Sequence, residues 1–429
     1  MITKKREYMQ EKIVEHFIKI TKLPHCSEET EALFNYLVNF AKEQGYEVQS
    51  DETKNILIKK GSPKLALQAH YDMVCMGKAP NIETYVEEGW MYAKESSLGA
   101  DNGMAIAMMM TLMEQGKELE FVLTSDEEIG LIGATAIELE LSASYMLNLD
   151  FEDEGVVCIG CAGGADLLAE QTLYKSEAYE YNYELTVSGL AGGHSGVEIH
   201  KNIPNAIKVL AEYLSDKEVL VASCHGGERR NSIPTAMSMK LSSTEPLVGN
   251  DLVQVRELNE PLEVYESDEF LNLLVEFKHG VNSYNEEFEL PDTSINLALV
   301  SVENGVAKIE CSSRAMSEEG LEEINENYFK LFEKYNFSTA IEYKYPSWKP
   351  EVNSFTSLIN DAMTKEYGKS KYEAIHAGLE CGVLLERYPN MKFASIGPTI
   401  VSPHSIHEKV KLDSVGKIFR VVEEVMAKL

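Results

Sequence analysis

Apolar residues recur at two different spacings in the first 180 residues. Helical spacing, as in Ile13, Phe17 and Ile20, predicts helices over the segments 7–20, 28–44 and 103–115. Short apolar runs predict buried strands near residues 55–60, 65–70, 119–125, 145–150 and 155–160. Helices that alternate with buried strands are typical of an α/β domain, so we predict a mostly parallel sheet with helices on both faces.

The pattern changes near residue 180, where the segment 181–187 alternates apolar and polar residues. Such strands are half exposed, and they continue with intervening helices to about residue 345. From about residue 350 the first pattern returns and runs to a terminal helix near 414–429. We therefore predict an α+β domain with an antiparallel sheet, residues 181–349, inserted into a discontinuous catalytic domain, residues 1–180 and 350–429.

Side chains that can bind metals follow three of the predicted strands. They are His70 and Asp72 after the first strand, Glu127 and Glu128 after the second, and Asp150 after the third. Ligands in open α/β sheets bind just outside the carboxyl ends of the strands, so these side chains should meet. Adjacent residues that leave a strand point in different directions, so one glutamate could bind a cation while the other acts as a general base. An acidic turn facing solvent is the alternative for the glutamates alone.

Two further segments offer ligands to the same site. Asp101 precedes an apolar helical run, where it could be a helix N-cap or an oxygen ligand. His404 lies in a turn-rich loop after the strand near 392–396 and supplies a second imidazole. Two histidines with several carboxylates suit two divalent metals sharing a bridging carboxylate better than one four-coordinate ion. Paired metals would polarise a carbonyl and lower the pKa of a bound water from about 15.7 towards about 7, so the predicted chemistry is hydrolysis.

Composition and charge limit the class of protein and the partners that it could bind. A chain of 429 residues is longer than one average domain, so two domains are expected. A content of 44% hydrophobic and 25% charged residues indicates a globular enzyme. The net charge of −31 argues against nucleic acid or an anionic membrane as partner, since both need a basic surface. No apolar run approaches the length of a membrane span, and the basic start has no apolar signal region, so we expect a cytoplasmic protein. Seven scattered cysteines, an odd number, argue against a disulfide framework.

The chain resembles the di-zinc aminopeptidase/carboxypeptidase superfamily in motifs that fall in order over nearly its whole length. These motifs are His70-Tyr71-Asp72, Gly99–Gly103, Asp126–Gly130, Asp150, Gly193–Gly196, His376–Gly382 and Ser402–Ser405. The segments Tyr345–Pro350 and His376–Gly382 resemble the aminoacyl-histidine dipeptidase branch. The resemblance implies a zinc-exopeptidase-like catalytic domain and hydrolysis of unblocked dipeptides, including β-alanyl-histidine. Related tripeptidases, carboxypeptidases and N-acyl amino acid deacylases share these ligands and stay open as alternatives.

The resemblance also implies which residues act on the metals. It places one metal on His70, Asp101 and Asp150, and the second on Asp101, Glu128 and His404. Zinc is the expected metal, although manganese and cobalt accept the same nitrogen and oxygen ligands. Glu127 is implied to be the general base for a water that bridges the metals, and Asp72 is implied to orient His70.

For the inserted domain, the resemblance implies a lid that in this superfamily often also dimerises, so a homodimer is expected. His194 resembles the lid histidine that reaches the scissile carbonyl, and Arg314 resembles the arginine that grips the substrate carboxylate. Glu380 is expected to bind the substrate α-amino group, while the role of His376 is left open.

Two other functions are disfavoured by the same residues. The run Gly193–Gly196 is similar to a serine nucleophile elbow, but Val197 stands where that motif requires glycine. A non-catalytic binding protein of this fold would be expected to have lost Glu127 or a ligand, and none is missing.

Overall fold

The structure is a computed structural model that describes residues 2–429, with side chains described from Tyr8 onward. The chain divides into two compact units. Unit 1 comprises Met1–Gly160, Pro350–Ala374 and Leu379–Leu429, and unit 2 comprises Cys161–Lys349 and Ile375–Gly378.

The helices within the described residues are α1 (Ile2–Ile20), α2 (Glu31–Glu43), α3 (Ala100–Glu114), α4 (Ile132–Thr135), α5 (Ala206–Leu214), α6 (Asp268–Glu276), α7 (Glu318–Lys334), α8 (Ser354–Tyr367), α9 (Glu380–Arg387) and α10 (Leu412–Lys428). A short 3-10 helix spans Ile199–Lys201.

The strands are β1 (Glu47–Ser50), β2 (Ile56–Lys59), β3 (Leu65–His70), β4 (Thr84–Glu87), β5 (Trp90–Ala93), β6 (Glu120–Thr124), β7 (Tyr145–Asn148), β8 (Val156–Cys161), β9 (Gly163–Thr172), β10 (Lys175–Ser176), β11 (Tyr181–Val187), β12 (Val219–Gly226), β13 (Met237–Ser243), β14 (Gln254–Glu257), β15 (Val264–Tyr265), β16 (Gly280–Asn285), β17 (Leu290–Glu303), β18 (Val306–Ala315), β19 (Ser338–Tyr345), β20 (Lys371–Ile375), β21 (Lys392–Ser395), β22 (Ile400–Val401) and β23 (Lys409–Lys411).

The main sheet of unit 1 has the strand order β1-β2-β6-β3-β7-β21-β8-β20. Its central strands β6, β3, β7 and β21 are parallel to one another, and antiparallel pairs flank them. Every residue of β3, β6 and β8 is buried, which means that both faces of the sheet are covered. Helix α3 packs against β3 and α1, and its residues Asn102–Met113 are all buried. The predicted α/β fold with a parallel central sheet is therefore confirmed.

Unit 2 is built on an antiparallel sheet of eleven strands, with the main path β14-β11-β13-β12-β17-β18-β9-β19. Burial alternates along β11 and over the first half of β18, so one face of each strand carries the apolar residues. Helices α5, α6 and α7 cover this face with a shared core that includes Leu210, Phe270 and Phe332. The alternating pattern seen in the sequence thus corresponds to a sheet with helices on one face.

The first unit ends earlier than the sequence pattern placed the boundary near residue 180. Strand β9 pairs with β18 over its full length and with β19 on its other side, both of them strands of unit 2. Unit 2 therefore begins at Cys161, and β9 and β10 belong to it. The Gly-rich start of β9 does not alternate apolar and polar residues, so it looks like a continuation of the buried strand β8. The hydrophobic pattern therefore assigned β9 to the first domain.

One cysteine pair departs from the sequence expectation. Cys26 and Cys75 form a disulfide, with their Cα atoms 5.5 Å apart. The two cysteines are 49 residues apart in the chain and belong to no recognised cysteine motif, so the sequence did not predict this pairing. The other five cysteines are buried thiols.

No helix within the described residues combines the length and apolarity that crossing a membrane requires.

Candidate metal centre and a second polar cluster

The ligand-bearing segments of unit 1 meet because their strands are parallel neighbours. His70, the last residue of β3, is in register with Thr124, the last residue of β6. On the other side of β3, Gln68 is in register with Asn148, the last residue of β7. The carboxyl ends of the three strands therefore form one edge, where the segments that follow β6 and β7 place their acidic side chains.

The first group of side chains at this edge is His70, Asp101 and Asp150. The Nε2 atom of His70 lies 3.1 Å from Oδ1 of Asp101 and 3.3 Å from Oδ1 of Asp150. The Nδ1 atom of His70 lies 3.1 Å from the backbone carbonyl of Asp72, which can only accept a hydrogen bond. Nδ1 therefore donates to this carbonyl, and Nε2 faces the two carboxylates, where a neutral ring would offer its lone pair to a cation. Burial alone would lower the pKa of His70, but the carboxylates of Asp150, Asp101 and Asp72 raise it well above its usual value.

The second group shares Asp101 with the first. The Nε2 atom of His404 lies 3.0 Å from Oδ2 of Asp101 and 2.8 Å from Oε2 of Glu128. Asp101 thus presents one carboxylate oxygen to each histidine. In each of these groups one potential ligand atom per residue lies within 4.8 Å of the others, and His70, Glu127 and Glu128 form a third, overlapping group.

The carboxylate of Asp72 contacts several of the segments that form this edge. Its Oδ1 and Oδ2 atoms accept the backbone N–H groups of Glu127 and Glu128 at 3.0 and 3.3 Å. Oδ1 also lies 3.4 Å from Nδ1 of His70, and Ser27 donates its hydroxyl to Oδ2 at 2.8 Å. One buried carboxylate therefore orients both the imidazole and the acidic turn.

The electrostatics of the site favour a bound cation. Burial raises the pKa of Glu127 well above its usual range, and burial with the neighbouring Asp101 charge raises the pKa of Glu128 to about 7. Burial alone would lower the pKa of His404, but its hydrogen bonds to Asp101 and Glu128 raise it to about 11. Among the described residues, Glu128 Oε1 is buried and has no hydrogen-bond partner. Imidazole nitrogens that face carboxylate oxygens, with a carboxylate oxygen left over, form a donor set that suits zinc, manganese or cobalt.

Asp101 is not a helix N-cap, contrary to one of the two sequence interpretations. Asp101 and Asn102 have backbone angles outside the helical region although they lie within the bounds of α3. The side-chain amide of Asn102 donates to Oδ1 of Asp150. The backbone N–H groups of Ala100 and Asp101 donate to the side chain of Glu408. The side chain of Asp101 is thereby left to face the two histidines.

Glu380 begins α9 and is fully buried. Its Oε2 atom accepts a hydrogen bond from Nε2 of Gln68 at 2.5 Å, and Oε1 has no hydrogen-bond partner among the described residues. Asn148 donates to Oε1 of Gln68 at 2.6 Å, so Glu380 ends a buried polar chain beneath the strand edge. Burial raises the pKa of Glu380 to about 7, with the charge of Asp150 adding to the shift.

In unit 2, the structure fixes the ring of His194 by its backbone surroundings. The N–H groups of Gly196 and Val197 donate to Nδ1 of His194 at 3.1 and 3.2 Å. A nitrogen that accepts hydrogen bonds carries no proton, so the neutral ring holds its proton on Nε2. The ring of His194 is therefore prepared to donate from Nε2.

Arg314 and His376 lie beside His194 around Gly196. A β-carbon at Gly196 would lie 2.6 Å from the carbonyl oxygen of His376, 3.1 Å from Cε1 of His194 and 3.2 Å from Nε of Arg314. Arg314 is 6% exposed and donates from Nη1 to the hydroxyl of Tyr345 at 2.6 Å. Its buried Nε has no hydrogen-bond partner within the described part of the chain. The absence of a side chain at Gly196 lets these three residues converge.

His376 itself is held as a neutral ring. Its Nε2 atom lies 2.7 Å from the hydroxyl of Ser294. Burial and the nearby Arg314 charge lower the pKa of His376 to about 3. Arg314 is therefore the positive charge of this cluster at neutral pH.

The sequence-predicted residues thus fall into two sets. Unit 1 brings together His70, Asp72, Asp101, Glu127, Glu128, Asp150 and His404, and the charge of Asp150 helps to raise the pKa of Glu380. Unit 2 brings together His194 and Arg314, with His376 as a neighbour. The sequence reasoning did not find Glu408 or Gln68, because each is a single polar residue without a motif spacing around it.

Comparisons with known proteins agree with this geometry. A sequence model of the peptidase family M20/M25/M40 matches residues 66–428. The Escherichia coli K12 protein named cytosol non-specific dipeptidase is 31% identical over an alignment of 469 positions, which covers 96% of each chain. The crystal structure of aminoacylhistidine dipeptidase from Vibrio alginolyticus is 29% identical, covers 97% of this chain and 96% of its own, and superposes with a TM-score of 0.80.

A tripeptidase structure from Staphylococcus aureus shares the fold at 16% identity and a TM-score of 0.62, covering 98% of this chain and 99% of its own. The resemblance stated from the motifs is confirmed by these matches, and so is the predicted enzyme class of peptidase.

Proposed function

We propose, from the premise that this chain belongs to the peptidase family M20/M25/M40, that it is a metal-dependent dipeptidase that hydrolyses unblocked dipeptides. The observation that carries the proposal is the Asp101 carboxylate, which presents one oxygen to His70 and the other to His404. Such a carboxylate can bridge two cations. The names of the E. coli and Vibrio relatives support dipeptides as substrates, and the Vibrio name supports dipeptides with a C-terminal histidine. We include β-alanyl-histidine on the resemblance of the motifs alone.

The side chains that would hold the two ions are His70, Asp101 and Asp150 for one, and Asp101, Glu128 and His404 for the other. Zinc is the metal we propose, with manganese and cobalt as alternatives that the same ligands accept. Bound ions would polarise the scissile carbonyl and make a water acidic enough to ionise near neutral pH.

Glu127 is proposed to take the proton from the attacking water. Its backbone N–H is fixed by Asp72, and its carboxylate lies beside His70 and Glu128. A general base works best when its pKa lies near the working pH, and burial shifts the pKa of Glu127 upwards in that direction. The same group could then return the proton to the leaving amine.

A free dipeptide carries an ammonium group at one end and a carboxylate at the other, so its recognition needs an acidic and a basic side chain. Arg314 is proposed to bind the substrate carboxylate, because its buried Nε has a proton to donate and no acceptor among the described residues. Glu380 is proposed to accept the substrate ammonium on Oε1, which likewise has no partner there. His194 is proposed to donate from Nε2 to the oxyanion that forms at the scissile carbonyl.

A cytoplasmic location is proposed on the name of the E. coli relative. On the resemblance of the sequence motifs, unit 2 is proposed to act as the lid. A homodimer through residues 181–349 stays a prediction from the sequence, as does the absence of nucleic acid and membrane partners.

A peptide panel tests the dipeptidase proposal directly. We expect hydrolysis of free dipeptides, with dipeptides that end in histidine among the substrates, and poor hydrolysis of N-blocked dipeptides and of tripeptides. The physical reason is that recognition of both termini fixes the distance between them. Liquid chromatography of the products after each incubation measures this. Cleavage of N-acyl amino acids or tripeptides with free dipeptides untouched would overturn the dipeptidase assignment and leave the metal-dependent hydrolase standing.

Arg314→Met is expected to raise KM for a free dipeptide by roughly 10-fold or more, because a charge-assisted hydrogen bond contributes about 1.5–3 kcal/mol to binding. For the C-amidated dipeptide, which lacks the carboxylate, the change should be far smaller. Steady-state kinetics on the two peptides gives the comparison. Arg256→Met is the matched control, since Arg256 pairs with Glu184 on the exposed surface of the same unit. Equal effects of Arg314→Met on both peptides would contradict carboxylate recognition.

His194→Ala is expected to lower kcat by about 10²- to 10³-fold with metal content intact, because it removes one donor to the developing oxyanion. Stopped or continuous assays at saturating dipeptide, together with metal analysis, measure the two quantities. His200→Ala serves as control, since His200 is exposed in the neighbouring 3-10 helix. Parent-like kinetics of His194→Ala would mean that the histidine is only structural.

A further inference from the structure

Glu408 is a buried carboxylate that accepts four consecutive backbone N–H groups. It is 2% exposed. Its Oε2 atom accepts from Leu98 at 2.7 Å and Gly99 at 3.1 Å, and its Oε1 atom accepts from Ala100 at 2.7 Å and Asp101 at 3.4 Å. Both oxygens are thus used by one short segment that lies more than 300 residues away in the chain.

These donors lie in the turn that leads into α3, because Asp101 and Asn102 have non-helical backbone angles and the regular helix begins only after them. Buried backbone N–H groups need an acceptor, and Gly99, the residue before α3, has no side chain to supply one. Glu408 supplies the acceptor from another loop, with two N–H groups on each of its oxygens.

Glu408 connects the two separate segments that carry the proposed ligands Asp101 and His404. Asp101 contributes the last of the four N–H groups, and His404 precedes Glu408 by four residues. The loop that carries His404 joins β22 to β23, which pair through Val401 and Lys409, and none of the residues 402–407 is buried. Glu408 is the first buried residue after His404, so its hydrogen bonds tie this end of the loop to the segment that carries Asp101.

We propose that Glu408 is a positioning residue that fixes His404 relative to Asp101 and thereby sets the affinity of the ion that Asp101, Glu128 and His404 hold. The inference rests on the proposed function for the identity of these ligands. Glu408 does not contact the ion in this account, and it acts through the backbone of residues 98–101 and through the loop that carries His404. Residues that orient metal ligands in this way typically change metal affinity by about 10- to 100-fold when they are replaced.

Glu408→Gln removes one acceptor oxygen and places an NH₂ group against N–H donors. Metal-free parent and variant would be titrated with Co²⁺, whose visible absorption reports the ligand geometry of each ion bound. We expect Kd for one of the two ions to rise by about 10- to 100-fold, with an altered spectrum, while Kd for the other changes little. Glu408→Asp, which keeps the charge and shortens the reach, should give an intermediate shift and provides a second variant in case the first does not fold.

Glu120→Gln is the matched control for a merely structural effect. Glu120 is fully buried in the same unit and accepts the N–H groups of Ser142 and Ala143 at the opposite end of β6 from the site. Its replacement should lower the melting temperature with both cobalt affinities unchanged. Parent-like cobalt affinity in the Glu408 variants, or equal weakening in Glu120→Gln, would overturn the inference. Failure of the parent protein to bind cobalt would overturn the proposed metal centre itself and this inference with it.

Discussion

Glu127→Ala is expected to lose about 10³- to 10⁴-fold in kcat while it retains its metal. The substitution removes the group proposed to accept the proton of the attacking water, and it leaves the nitrogen and oxygen atoms of the two main ligand groups in place. Its backbone N–H still donates to Asp72, so the acidic turn should keep its conformation. Measured kcat on a free dipeptide, with metal content determined on the same sample by elemental analysis, tests the expectation.

The neighbouring Glu128→Ala is the informative contrast. Oε2 of Glu128 lies 2.8 Å from Nε2 of His404, so this variant should lose metal as well as activity. If Glu127→Ala lost metal and Glu128→Ala kept it, the roles of the two glutamates would be the reverse of those proposed. Parent-like kcat in Glu127→Ala would show that neither proton transfer nor water orientation depends on that side chain.

Removal of metal by a chelator is expected to lower hydrolysis by about 10³-fold or more, because the electrostatic stabilisation supplied by such ions amounts to several kcal/mol. Addition of zinc, manganese or cobalt should restore activity, with up to two ions bound per chain. The residual rate after chelation, followed by titration with each metal, gives both the dependence and the stoichiometry.

The control for this experiment is the same chelator saturated beforehand with zinc, which excludes inhibition by the chelator itself. Calcium offers a second control, since it prefers six to eight oxygen ligands and the site offers two imidazoles. Full activity in a sample verified as metal-free would contradict the proposed mechanism, whatever the peptide preference.

The strand-end part of the site was accessible from the sequence for a simple geometric reason. Parallel strands that are neighbours must end at the same edge, so a ligand-type residue at each end predicts a cluster without knowledge of the side-chain conformations. His70 and Asp150 were found in this way. The motif resemblance then added the role of Asp101 as a ligand shared by both proposed ions.

Contacts that depend on backbone groups could not be found from the sequence. Glu408 binds four N–H groups that every non-proline residue possesses, so no residue type in the segment 98–101 identifies it as a partner. Strand β9 was placed in the wrong domain for a related reason, because its pairing with β18 depends on which distant strand it meets. The role of Gly196 was equally hidden, since it consists of the absence of atoms between His194 and Arg314.

The Cys26–Cys75 disulfide affects how the enzyme should be handled in the laboratory. Cys26 is adjacent to Ser27, whose hydroxyl donates to Asp72, so the bond joins the loop before α2 to the segment just after the strand-end cluster. A reducing cytoplasm would keep this pair as thiols, whereas aerobic purification would favour the bond, and the two covalent forms would then coexist in one preparation. Dithiol reductants also bind zinc through their sulfur atoms, so a phosphine is the reductant that separates the redox state of this pair from the metal content of the sample.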